Sequence, residues 1–388
     1  DEVKNFVMEL GPDHSELKPL ALGVGQLFML NNEVDKANEM FDLAMSIKSD
    51  DKDSGQTEED AYYMKATGMY YDNRFEDAIG VLDEYLEKYP EGIYIPNALY
   101  FKAVSFAGLK DWEQAIVYID ELLEKYPEGS ENFDSIEEAN YQKGWILVES
   151  ENYEPAVEHF RQYLDKTEDG SLRPEMMYQL GIALQELEKY DEAAEVLKTL
   201  AKDHPENQVA PYGLYQIAVA DFKNQNFEKM AESLKELVTN FPDNPIVTDA
   251  YYFLGFGAQR ERNFDDAVKY FRQSLESDPM NERAPQCMLD IATALKDKAG
   301  AMGRPSVLAP DLQKTHKETM LEAAKTYETL LEQYPASDQS LQAVTGIAKV
   351  IADMTDAGQF TLEEAEQYYK DALARYADNS ELQAQLEF

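Results

Sequence analysis

Residues 75–90 read FEDAIGVLDEYLEKYP, and residues 112–127 read WEQAIVYIDELLEKYP. In both stretches a large aromatic residue leads, two polar residues follow, alanine comes fourth, and a Tyr-Pro pair closes the segment with its proline fifteen positions after the head. The opening recurs as Tyr153 to Ala156, Tyr190 to Ala193 and Phe264 to Ala267, and Phe227 heads a variant with Met230 in the alanine place. Val34, Met320 and Leu362 head looser copies ending in Ala37, Ala323 and Ala365. The intervals between heads are 41, 37, 41, 37, 37, 37, 56 and 42. A base period of 37 with insertions at four places is the mark of an internal repeat.

Two further positions give the repeat its internal structure. Prolines at 90, 127, 242 and 335 follow an aromatic residue, with His204-Pro205 and Asp278-Pro279 as variants. Each ends a helix, because proline has no N–H to continue the backbone ladder. Nine residues before the heads sit Gly25, Ala66, Ala103, Gly144, Gly181, Ala218 and Gly255, where two helices approach closely. Polar pairs such as Asp72-Asn73, Lys110-Asp111 and Arg262-Asn263 lie between small residue and head, so each unit reads helix, tight turn, helix. A two-helix unit cannot bury its apolar faces alone, and stacking such units builds one continuous core.

Small residue, aromatic head, alanine and terminal proline at these offsets resemble the tetratricopeptide repeat, over about nine-tenths of the chain. The period exceeds the usual 34 residues by three, placed after the proline. The Tyr-Pro-Glu-Gly endings are similar to repeats of bacterial envelope proteins. The resemblance implies an all-α, right-handed superhelical solenoid of about nine antiparallel helix-turn-helix hairpins. As a single solenoid over 1–388 it divides into a partial repeat at 1–12, regular repeats at 16–295, an inserted loop at 296–319, last repeats at 320–379 and a tail at 380–388. Pro12 lies 37 residues before Ser49, which occupies the first unit's proline position, so the array is expected to extend upstream. The envelope likeness and the acidity favour a periplasmic or envelope-associated location, with the cytoplasm as the alternative.

Lys and Arg number 35 against 76 Asp and Glu, a formal net charge of −41. Such a chain repels a phosphate backbone or an anionic membrane, so nucleic acid is excluded as a partner class and apolar-basic protein segments are favoured. With 44% hydrophobic and 11% aromatic residues, the composition is that of a folded protein. No apolar run is long enough to insert in a membrane. One cysteine, Cys287, excludes an internal disulfide and a cysteine metal cluster.

Two acidic linkers are expected, Ser49 to Asp60 and Glu128 to Glu138. The first has the carboxylates of a calcium loop but lacks its glutamate at the twelfth position, and reads as a solvated linker. The 56-residue interval inserts extra residues between Leu295 and Met320, with Gly300, Gly303, Pro305 and Pro310, which reads as a long loop. Lys296, Lys298, Arg304, Lys314 and Lys317 make it locally basic and a candidate partner contact.

His14, His159, His204 and His316 are scattered without metal-ligand spacing, and neither a phosphate loop nor a nucleophile elbow occurs. No enzyme, cofactor or metal site is therefore expected. The feature that stands out is a tyrosine ladder: Tyr63, Tyr100, Tyr141, Tyr178, Tyr215 and Tyr252, each three residues before the small residue. One turn further on come Thr67, Val104, Trp145, Ile182, Val219 and Phe256. The resemblance places first helices on a concave face, making Tyr63, Tyr100, Tyr141, Trp145, Tyr178, Tyr215, Tyr252 and Phe256 a candidate peptide-binding groove. The alternative is that the tyrosines only brace neighbouring hairpins. Two functions follow: a non-enzymatic scaffold holding a peptide or helical segment of a partner, or a structural component that self-assembles or docks into a larger envelope or appendage complex through its outer faces or ends.

Overall fold

A computed structural model describes residues 17–47, 54–127 and 133–375. The expected partial repeat at 1–12 and the tail at 380–388 lie outside the described residues. Among those described, eighteen α-helices form nine hairpins, each a first and a second helix. The pairs are α1 (Leu17–Leu30) with α2 (Val34–Ser46), α3 (Ser54–Tyr71) with α4 (Phe75–Lys88), and α5 (Ile95–Gly108) with α6 (Trp112–Lys125). Next come α7 (Ile136–Glu149) with α8 (Tyr153–Lys166), α9 (Arg173–Glu186) with α10 (Tyr190–Asp203), and α11 (Ala210–Lys223) with α12 (Phe227–Asn240). The last are α13 (Val247–Arg260) with α14 (Phe264–Ser277), α15 (Ala284–Met302) with α16 (Pro310–Gln333), and α17 (Gln339–Asp356) with α18 (Leu362–Arg375).

The chain divides into two compact units, Asp1–Val196 and Leu197–Phe388. In the first, each first helix packs on the first helix of the next hairpin, α1 on α3, α3 on α5, α5 on α7 and α7 on α9. In the second, α15 packs on α17 in the same way.

Every head except Met320 is the first residue of a second helix. The alanine three residues later faces inward: Ala37, Ala78, Ala115, Ala156, Ala193, Ala267 and Ala323 are wholly buried. A helix entering at its head sets its fourth residue against the first helix, and where Met230 takes the alanine place Gly257 of the next hairpin's first helix makes room for it.

The small residue of each first helix meets the residue sixteen positions on, and the two sizes compensate. A Cβ built on Gly25 would lie 2.5 Å from the Phe41 ring, one on Gly255 would lie 2.6 Å from Phe271, and one on Gly144 would sit closer still to Phe160. Phe41, Phe160 and Phe271 are wholly buried. Where the first helix carries Ala66, Ala103 or Ala218, the position sixteen on is Leu82, Ile119 or Leu234, also buried. Glycine goes with phenylalanine, alanine with a branched aliphatic, which keeps the helix pair at close-packed density either way. In the sequence, Gly181 with Leu197 departs from this rule.

The turn within the hairpin is the same seven times. Asn32, Asn73, Lys110, Glu151, Glu188, Gln225 and Arg262, each two residues before a head, have φ between 58° and 63°. The next residue's N–H donates to the carbonyl five positions back, as from Asp111 to Phe106 (2.9 Å) and Asn152 to Leu147 (2.8 Å). This left-handed residue with a long return bond is the Schellman arrangement, which satisfies the last carbonyls of a helix. The donating residue also precedes the second helix. At Asp111, Asn226 and Asn263 its side chain accepts from the backbone N–H three residues on, capping that helix.

Two expectations are corrected. The segment 296–319 is not a long loop: α15 runs on to Met302 and α16 starts at Pro310, leaving a short connection that holds a 3-10 turn at Pro305–Val307. Proline costs nothing in the first turn of a helix, and Gly303 at φ 97° closes α15, so residues that signal a loop act here as helix boundaries. The linker expected to reach Asp60 is helical from Ser54, and its last carboxylates are not simply solvated. Glu58 pairs with Lys18 at 3.1 Å and with Lys88. Burial pushes the Glu58 carboxyl up, but the two lysines outweigh it and hold it below the usual range.

Candidate functional site

The ladder tyrosines lie on the first helices: Tyr63, Tyr100, Tyr141 and Tyr178 on α3, α5, α7 and α9 of the first unit, and Tyr215 and Tyr252 on α11 and α13 of the second. All six are half-buried. Tyr63, Tyr100, Tyr141, Tyr215 and Tyr252 each reach the following first helix within their own unit.

In the first unit Tyr63 stacks flat on Tyr94 (centroids 4.6 Å apart, 7°) and meets Phe101 edge-on at 6.0 Å. The Tyr100 hydroxyl donates to Glu138 at 3.5 Å, with Phe101 at 5.3 Å and Phe133 at 5.9 Å from its ring. Tyr141 hydrogen-bonds the Gln179 side chain. Trp145 meets Trp112 edge-on at 6.2 Å. In the second unit Tyr215 meets Phe253 at 6.1 Å, and the Tyr252 hydroxyl donates to Asp290 at 3.3 Å. Phe256 sits between Phe222 and Phe227 at 5.4 and 6.1 Å, with the Arg260 guanidinium 4.8 Å over its ring. Four of the tyrosines thus reach the residue one past the next repeat's tyrosine position, Phe101, Gln179, Phe253 and Asp290, and so bridge consecutive first helices.

Burial raises the hydroxyls of Tyr63, Tyr100, Tyr141 and Tyr252 above their ordinary value, aided at Tyr100 by Glu138 and at Tyr252 by Asp290. Burial and the Asp249 carboxylate push Tyr215 up to about 12. The phenols remain hydrogen-bond donors at neutral pH, which suits them to the carboxylates they face. Asp290 is itself raised, because burial outweighs the bonds from Gln286 and Tyr252.

Several carboxylates that sequence reasoning treated as surface charge are structural. Glu59 accepts from the Tyr85 hydroxyl at 2.8 Å and from the Ile93 N–H at 2.9 Å, and Asp60 accepts from the Tyr94 hydroxyl at 2.8 Å. Glu137 likewise accepts from the Leu172 N–H at 2.7 Å. Both glutamates serve amides at the start of the next first helix, groups that have no partner within their own helix. A carboxylate about one period before a hairpin start was the available signal.

The five basic residues of the insertion do not form one patch. Lys298 pairs with Asp265, and Lys317 donates to the Gln359 carbonyl at 2.9 Å with its ammonium 5.3 Å from the Phe360 ring centre. Lys314 is exposed on α16, 3.8 Å from Glu318. Lys296 and Arg304 line a cavity of about 580 Å³. Cys287 is wholly buried, which pushes its thiol up to about 11. Among the described residues no His, Cys, Asp and Glu come together as a metal site, and no helix is long and apolar enough to cross a membrane.

Models of the tetratricopeptide repeat match residues 63–130, 141–207 and 178–245, and another model of the same repeat matches 248–281. No curated protein matches the chain. Among solved structures, the C-terminal part of a tetratricopeptide repeat-containing protein from Cytophaga hutchinsonii superposes with a TM-score of 0.53 at 15% identity, covering 74% of this chain and 99% of that one. A tetratricopeptide repeat protein from Parabacteroides merdae gives 0.47 at 15% identity, covering 71% and 98%. MamA of Desulfovibrio magneticus gives 0.39 at 18% identity, covering 47% and 94%.

Proposed function

We propose, from the premise that this chain belongs to the tetratricopeptide repeat family, that it is a non-enzymatic scaffold whose first helices hold an extended or helical segment of a partner protein rich in apolar and basic residues. The observation that carries this reading is the row of half-buried aromatic rings on consecutive first helices of each unit, set among carboxylates. Half-buried tyrosines keep an edge and a hydroxyl in reach of a ligand at low entropic cost, and their neighbours hold them in place. A chain of net charge −41 draws a basic segment in and turns an acidic one away.

The test is capture from the source cell's lysate with the wild-type chain and with a Tyr141→Ala, Trp145→Ala variant of unchanged helical circular dichroism. A partner whose basic segment, made as a peptide, binds the wild type and not the variant supports the reading. Equal binding to both removes the first-helix face from consideration.

The second reading, a component that self-assembles or docks into a larger envelope or appendage complex, is favoured by one observation. Leu20, Leu27 and Leu30 are exposed along one stripe of α1. Light scattering that grows with concentration in the wild type, and not in Leu27→Ser, Leu30→Ser, favours this reading over the first.

A further inference from the structure

The insertion in the hairpin of α15 and α16 builds something the repeat does not need. Its added turns and the 3-10 segment wall a cavity of about 580 Å³, closed on the far side by the end of α17. The floor is Met320, 2% exposed, and His316, 6% exposed. The rim is charged: half-buried Lys296 and exposed Arg304 stand on the α15 side, and exposed Asp353 and Asp356 on α17.

The tautomer of the buried imidazole follows from its partner. The Gln359 amide donates its Nε2 to the Gln313 carbonyl at 3.2 Å, so its Oε1, 3.0 Å from His316 Nδ1, is the acceptor. Nδ1 therefore carries a proton, and in the neutral imidazole Nε2 is the acceptor; among the described residues it has no hydrogen bond. Lysine 317 holds Gln359 from the other side through the Gln359 carbonyl. Here, among the described residues, Lys296, Arg304, Asp353 and Asp356 line one cavity without forming an ion pair.

We propose that this cavity binds a small zwitterion of amino-acid to dipeptide size, its carboxylate held by Lys296 and Arg304 and its ammonium by Asp353, Asp356 and His316 Nε2. Opposed charges that do not neutralise each other are complementary to a ligand carrying both, and a cavity of this volume is in the ordinary range for small-molecule sites. A chain terminus of another protein offers only one of the two charges, so it is distinguished by blocking.

The probes are the free amino acids and a panel of unblocked dipeptides, each with its N-acetylated and C-amidated form, screened by thermal shift on the full chain. At least one unblocked probe should raise the melting temperature by about 5 °C when present at 100 times its Kd. Both blocked forms of that probe, and the variants Lys296→Ala and Asp353→Ala with unchanged circular dichroism, should lose the shift. The proposal is overturned if no unblocked probe stabilises the protein, if the N-acetylated form binds as well, which would point to a protein carboxyl terminus, or if both variants respond like the wild type.

Discussion

Replacing Gly144 by Ala should destabilise the protein even though alanine is the better helix former, and replacing Phe160 by Leu in the same chain should restore most of the loss. On α7 the exchange alone gains about 0.8–1 kcal/mol of intrinsic helix preference. The new methyl, however, would fall well inside the van der Waals radius of the Phe160 ring, which is wholly buried and has no free volume to turn into. Overpacking of this kind costs about 1–3 kcal/mol, and the depth of the overlap places it at the upper end, so the net loss is about 1–2 kcal/mol. Phe160→Leu alone leaves a void beside Gly144 and costs about 1–2 kcal/mol. Together the two recreate the pair already present at Ala66 and Leu82, so the double variant should lie within about 1 kcal/mol of wild type, a coupling of roughly 2 kcal/mol. Urea unfolding of the four chains, followed by circular dichroism at 222 nm, measures the cycle. Effects that add to within about 0.5 kcal/mol would refute the claim that these two side chains exclude each other.

Lys110→Gly should raise stability by about 0.5–1 kcal/mol, because a left-handed residue with a Cβ costs about 1–2 kcal/mol and glycine returns part of that gain as unfolded-state entropy. Lys110→Ala, which keeps the Cβ, should give no such gain in the same urea titration. Glu59→Ala should cost about 2 kcal/mol by stranding the Tyr85 hydroxyl and the Ile93 N–H, while Glu59→Gln, which keeps an acceptor, should cost less than half of that. His159 supplies a pH dependence: burial holds its pKa below the ordinary 6.5, against the raising effect of its bond to the Asn140 carbonyl at 2.8 Å. The unfolded chain then takes up the proton first, so this contribution is complete above pH 6.5 and is lost as pH falls from there toward the lower folded value. Melting temperatures from pH 7.5 to 5 should fall less steeply in His159→Gln than in wild type.

The hairpins were legible because their requirements are local and repeated. An aromatic head begins a helix, an alanine lets two helices touch, and a proline forbids continuation. The left-handed turn residue was not legible, because Lys110, Glu151 and Arg262 are not types that announce a positive φ. Only the long return hydrogen bond compels it there. The insertion was misread for the opposite reason: Gly303 and Pro310 are as much a helix's end and beginning as they are loop residues, and composition alone does not decide between those uses. Of the candidate site, the spacing of the tyrosines was readable and their partners were not. In a chain with 76 carboxylates, nothing in the sequence separates Glu138 or Asp290, which meet a neighbouring repeat, from those that face only solvent.

The seven identical turns leave no slack. One residue closes the outgoing helix and, by its side chain at three of these turns, opens the returning one, so an added or deleted position would unseat both. Variation in length is thereby channelled to the far side of each hairpin, after the second helix, where the intervals of 41 arise. Where a larger insertion does fall inside a hairpin, between α15 and α16, the shared residue is gone and a glycine closes α15 instead. A hairpin with its turn intact therefore behaves as a cassette, and boundaries for exchanging, deleting or grafting repeats belong in the connections after the prolines, never at the turns.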